Sequence, residues 1–197
     1  MGKKPPLTLV LIGISVLVFL AIFVFKLNAL ILPLLISTKL DGLLPEVMAG
    51  QYWRLVTPMF LHFGLFHIVF NSLWLWELGR IIEYKQGSLI LGVLVLITST
   101  CANLLQYFFS NSVFFGGMSG VVYGLFGYVW MQGLFNPNFG IRLNPAIVNF
   151  MLIFFAICWT GVLELLFGVH VANMAHSGGL IAGVFLGISG SLFRKRS

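Results

Sequence analysis

Charge is what this sequence has least of. Aspartate and glutamate together number five, lysine and arginine eleven, and charged residues make up 8% of the 197, against about 25% in a soluble globular domain. With 59% of residues hydrophobic and a mean hydropathy of +1.04, an ordinary solvated surface cannot be built, so a soluble fold is excluded and the chain reads as an integral membrane protein. The net charge of +6 does not point to nucleic acid. The basic residues sit at the ends of apolar segments, where anionic lipid and insertion topology account for them. Cysteine is scarce too. Cys101 and Cys158, each inside an apolar run, form neither a disulfide framework nor a metal-type spacing and read as small buried hydrophobes. No His-Glu-x-x-His motif or carboxylate–histidine cluster falls in an apolar segment, so a metalloprotease is a poor fit and no metal or cofactor is expected. Internal repeats and low-complexity stretches are absent, and His170, in a short outer loop, reads as solvated.

What is present is a set of six apolar segments, at residues 7–25, 61–79, 89–109, 114–134, 145–167 and 171–193. Each is near the ~20 residues that a helix needs to cross ~30 Å of hydrocarbon. The first follows Lys3-Lys4 like a signal peptide, but it is longer than an h-region and lacks a small-x-small cleavage site, so it is expected to be retained. The link from 26 to 60 is amphipathic and interrupted, and is expected to lie in the membrane interface. With six spans and both termini cytoplasmic, Lys3, Lys4, Arg80, Lys85, Arg142, Arg194, Lys195 and Arg196 fall on one side, as the positive-inside rule requires. Lys39 and Arg54 then lie in the outer first loop, with Lys26 at the outer end of the first helix. One domain over 1–197 is expected, its membrane core at about 7–193.

Polar residues at membrane depth are costly and mark functional sites. Gly117-Met118-Ser119-Gly120 lies in the fourth segment and Ala175-His176 in the sixth. Gly116-Gly117 should break the helix, placing Ser119 at a helix N-terminus inside the membrane, where free N–H groups and the dipole favour negative charge. His176 would then act as general base for a serine nucleophile. Gly120, Gly124 and Gly127 face a matching stripe of Gly179, Gly183 and Gly187, which would let the two helices approach closely. Without an acid at an obvious third position, the pattern reads as a dyad. His67 and Asn71, four apart on one helix face, are two donors suited to an oxyanion hole completed by the Ser119 N–H. Counted from the inner boundary, His67, Ser119 and His176 all lie about 20–25 Å up. His62 reads as interfacial or structural, and Tyr123, one turn after Ser119, could pack on His176.

These motifs, in this order, resemble the rhomboid family of intramembrane serine proteases, in its compact bacterial six-helix form. The signatures are Trp53-Arg54, His62-x4-His67-x3-Asn71, Gly117-Met118-Ser119-Gly120 with Tyr123, and Ala175-His176-x2-Gly179-x3-Gly183. The resemblance implies an all-α integral membrane bundle of six transmembrane helices with a long interfacial first loop, in the bacterial inner membrane. It implies Ser119 and His176 as catalytic residues, His67, Asn71 and Ser119 as oxyanion hole, and support from Gly117, Gly120 and Tyr123. Trp53 and Arg54 would anchor the first loop, and Glu83 would have a structural, hydrogen-bonding role. Substrates would be transmembrane proteins cut in or near their spans. The residue before the serine is Met118, where the family more often has Ala or Leu, and the N-terminal cytoplasmic domain of some members is missing. Two rivals remain: a catalytically inactive relative that binds client membrane helices, and a small transporter. An inactive relative usually lacks the serine or the histidine; a transporter would show an inverted repeat and polar residues across the whole bilayer.

Overall fold

The computed structural model describes residues 5–168 and 170–194. Lys3, Lys4, Lys195 and Arg196, part of the expected basic flank, lie outside the described residues. Nine α-helical elements occur among the described residues: α1 (Pro6–Phe23), the short turns α2 (Ile31–Leu34) and α3 (Pro45–Met48), α4 (Leu65–Gln86), α5 (Ser88–Phe109), α6 (Ser119–Phe135), α7 (Pro145–Trp159), the short α8 (Val162–Phe167) and α9 (Asn173–Arg194). Three stretches are long and apolar enough to cross a membrane: Pro6–Phe23, Ser88–Phe109 and Asn173–Leu192. Helix α4 is long enough but carries Glu77, Arg80, Glu83 and Lys85, while α6 has 17 residues and α7 has 15.

Helix α6 is the axis of the bundle. Every residue from Gly120 to Val129 is buried, as befits a helix apolar all round. Its neighbours run in alternating directions. Against α5 the contact is antiparallel: a Cβ at Gly120 would meet Ala102 and one at Gly124 would meet Thr98. Against α9 it is parallel and closer still. A Cβ at Gly179 would lie 1.9 Å from the Gly120 carbonyl oxygen, and one at Gly183 1.9 Å from that of Gly124. Only glycine permits backbones to meet at that distance, so the stripe on α9 fixes the separation and register of the two helices.

Helices α1 and α4 are tied at one end by Glu83. Its carboxylate accepts from the Leu7 N–H (2.8 Å), the Thr8 N–H (3.0 Å), the Thr8 hydroxyl (2.7 Å) and the Ser88 hydroxyl (2.6 Å). Pro6 opens α1, and the next two N–H groups, which no helix satisfies internally, are capped by a charge from another helix. This is the structural role expected for Glu83. At the opposite end, the first loop is organised around Arg54, which is buried (6% exposed) while the adjacent Trp53 is 54% exposed. The Arg54 guanidinium donates to the carbonyls of Leu32 (2.7 Å) and Leu35 (2.8 Å) and to the Gln51 side chain (2.7 Å). Three fixed donors on a planar group match this set, which a lysine could not.

Two expected segments differ in outline. The second, read as 61–79, is a helix only from Leu65 and continues to Gln86. Residues 61–64 form an irregular entry, and the charged last turns extend the helix beyond the apolar run. The fifth, read as one run over 145–167, is broken: α7 ends at Trp159, and Gly161 (φ +74°) turns the chain before α8.

Candidate active site

The loop entering α6 is held from three sides. The Gly117 N–H donates to the Pro58 carbonyl (3.0 Å). A Cβ at Gly116 would lie 2.7 Å from both Leu61 Cβ and the Pro58 carbonyl oxygen. Gly117 adopts φ +113°, and a Cβ there would lie 2.6 Å from the His67 imidazole. Both glycines are required, one by space and the other by space and backbone conformation. The helix begins at Ser119, as the Gly116-Gly117 break predicts, and the N-cap residue Met118 has no capping side chain.

Parallel packing of α6 and α9 brings Ser119 to His176. The His176 Nε2 lies 2.8 Å from Ser119 Oγ, within hydrogen-bond range. The imidazole is buried, and its Nδ1 has no hydrogen-bond partner among the described residues. One face of the ring is covered by Tyr123, with centroids 4.8 Å apart and planes tilted by 40°. The Tyr123 hydroxyl donates to the Met151 carbonyl on α7 (3.3 Å). The backbone before His176 is fixed as well, since the Ala175 N–H donates to Gln106 Oε1 of α5 (3.0 Å).

His67 lies across Gly117 from its place on the first turns of α4. Its Nδ1 accepts from the Phe63 N–H (3.4 Å), and its Nε2 is the nitrogen against Gly117. Asn71 is buried on the same face, but its amide nitrogen donates to the His67 carbonyl one turn back (3.0 Å). The structure therefore brings Ser119, His176, Tyr123, Gly117, Gly120 and His67 together, with Asn71 beside them and its donor engaged in its own helix. Trp53 and Arg54 belong to the first loop.

Asn103, Ser99 and Gln106 were not singled out by the sequence, and His62 was read there as interfacial or structural. His62 is buried and bridges two strands of backbone: its Nδ1 is 3.1 Å from the Phe60 carbonyl, and its Nε2 accepts from the Met118 N–H at 3.4 Å. It supports the turn directly before Ser119. Asn103 donates to the Leu55 carbonyl (2.8 Å), binding α5 to the first loop. Ser99, Asn103 and Gln106 recur at intervals of four and three in an otherwise apolar segment, and that spacing was the available signal. Ser99 and Asn103 also line, with Gly116, Gly117 and Ser119, a cavity of about 10 Å³, close to the room that one water needs.

Comparison with known proteins bears on this arrangement. A family model described as the Rhomboid domain matches residues 49–193. The curated Rhomboid protease GlpG of Salmonella paratyphi A (strain ATCC 9150 / SARB42) is 40% identical over 152 residues, covering 77% of this chain and 53% of that protein. The chain thus spans about half the length of that relative.

Proposed function

Since this chain belongs to the rhomboid family, we propose that it is a serine endopeptidase of the membrane, with Ser119 as nucleophile and His176 as its base. The observation that carries this reading is the 2.8 Å approach of His176 Nε2 to Ser119 Oγ at the first residue of a buried helix. Ser119 Oγ attacks the scissile carbonyl as Nε2 takes its proton. His176 then gives that proton to the leaving amine, and a water repeats the cycle to release the acyl group. Tyr123 against the ring and Gln106 behind the Ala175 amide hold the imidazole in place, so orientation comes from packing and backbone contacts.

The developing oxyanion has three donors at hand: the Ser119 N–H in the unsatisfied first turn of α6, the His67 Nε2–H, and the Asn71 amide once it releases the His67 carbonyl. Six crossings with both termini cytoplasmic fit the alternating helix directions. In that arrangement the first loop and Ser119 share the outer end, while Arg80, Lys85 and Arg142 share the inner one. The substrates are transmembrane proteins, cut near the outer face where a spanning helix can unwind, and the location is a bacterial inner membrane.

Labelling purified protein in detergent with a fluorophosphonate probe tests the dyad. The parent chain is expected to label, and Ser119→Ala and His176→Ala to lose labelling, with cleavage of a model transmembrane substrate falling about 10⁶-fold. A folded parent chain that stays unlabelled, in a detergent where a known rhomboid protease labels, would sink this reading in favour of a non-catalytic binder of client helices.

A further inference from the structure

A second cavity lies beside the one at Ser119. It holds about 220 Å³ and lies at the same end of the bundle, between the end of α1, the start of the first loop and the segment entering α4. Apolar side chains, Phe23 and Phe63 among them, make its walls, and Lys26, Asn28 and His62 are on its lining. Ile22, Leu61 and His62 are buried, whereas Phe23 and Phe63 are exposed. The result is an apolar cleft that opens at the rim of the bundle beside a cation and an amide.

The backbone at Lys26 is a second, independent observation. Helix α1 closes with the Leu27 N–H donating to the Ala21 carbonyl (3.0 Å), a seven-residue closure with a left-handed residue just before its donor, a conformation that glycine usually supplies. Here that position is Lys26, at φ +56°. A side chain there carries a steric cost that glycine avoids. A cation does suit the negative end of the helix dipole, but other positions in the last turn serve that purpose without strain. Backbone strain of this kind clusters at functional positions, and Lys26 lines the cleft.

We propose that this cleft is a glycerophospholipid site, with the lipid phosphate on Lys26 and the Asn28 amide and one acyl chain between Phe23 and Phe63. Charge complementarity selects the phosphate, and the apolar walls select the chain. The seat lies one side chain from the chemistry, because His62 lines the cleft and also accepts the Met118 N–H ahead of Ser119. The assignment does not depend on whether the protein cleaves peptides.

Native mass spectrometry of the full chain, stripped in an uncharged detergent and titrated with lipid, tests it. Phosphatidylglycerol is expected to bind at least fivefold more tightly than diacylglycerol with the same chains. Lys26→Gly relieves the backbone and should melt no lower than the parent chain, yet weaken phosphatidylglycerol about fivefold, the weight of one basic residue at a lipid surface. Lys39→Ala, elsewhere in the first loop, should leave binding unchanged. Millimolar inorganic phosphate should not displace the lipid. Equal binding of the two lipids would overturn the phosphate assignment and leave the cleft to an apolar partner such as a client helix. Parent-like binding by Lys26→Gly, a matching loss in Lys39→Ala, or displacement by free phosphate would each overturn it as well.

Discussion

His67 and Asn71 occupy successive turns of α4, yet they stand differently toward Ser119. The His67 Nε2 is set against Gly117, while the Asn71 amide donates to the His67 carbonyl. On the proposed mechanism, His67→Ala removes a preorganised donor, which costs about 2.7–4 kcal/mol in the transition state. The expected result is a kcat lower by about 10²–10³-fold with KM little changed. Asn71→Ala should cost less, because in the parent chain that amide must first give up an existing bond. Steady-state cleavage of one peptide substrate by the two variants reads both numbers. A larger loss for Asn71→Ala, or a change confined to KM, would refute this division of labour.

At the scale of elements, the α6–α9 contact is the least forgiving surface in the molecule. Gly183→Ala sets a methyl 1.9 Å from a backbone oxygen, so the helices must separate, and stability should fall by about 3 kcal/mol. Gly13, inside α1, has open space around its Cβ position. Gly13→Ala should be neutral, or raise stability by up to about 1 kcal/mol through helix propensity. Thermal melts in a fixed detergent distinguish these outcomes. Much of this level was legible in the residues themselves. The paired glycine stripes announced the close approach of α6 and α9, Gly116-Gly117 announced the start of α6, and the apolar run from 89 to 109 matches α5 within one residue. Other boundaries were hidden for physical reasons. Hydropathy measures transfer out of water, so it could not see α4 continuing through Arg80, Glu83 and Lys85, nor Gly161 breaking a run that stays apolar on both sides. The bond that diverts Asn71, and the role of His62 beneath Met118, depend on where backbone carbonyls and amides end up, which residue spacing does not encode.

Across the whole molecule, two carboxylates hold the two ends. Glu83 ties α1, α4 and α5 at one end, and Glu46 gathers the first loop at the other. The Glu46 carboxylate accepts from the Ser37 hydroxyl (2.7 Å), the Thr38 N–H (2.9 Å) and the Thr38 hydroxyl. Burial pushes its pKa up, but the bonds from Thr38 and Ser37 outweigh this and lower it from 4.5 to about 2. Because the folded value lies below the unfolded one, its contribution is complete above about pH 4.5 and is lost as pH falls toward 2. Amide hydrogen exchange in the first loop should therefore rise over that window and not above it, and Glu46→Gln should abolish the dependence. Exchange that rises equally in Glu46→Gln would assign the effect to another group. The glycine contact has a consequence in time as well as in space. Helix α9 follows the other described helices along the chain, and its docking on α6 sets the His176 imidazole 2.8 Å from Ser119 Oγ. On the proposed mechanism, a chain inserted only as far as α6 carries the serine without its base, so a nascent copy is inert toward its neighbours in the translocon until α9 has docked.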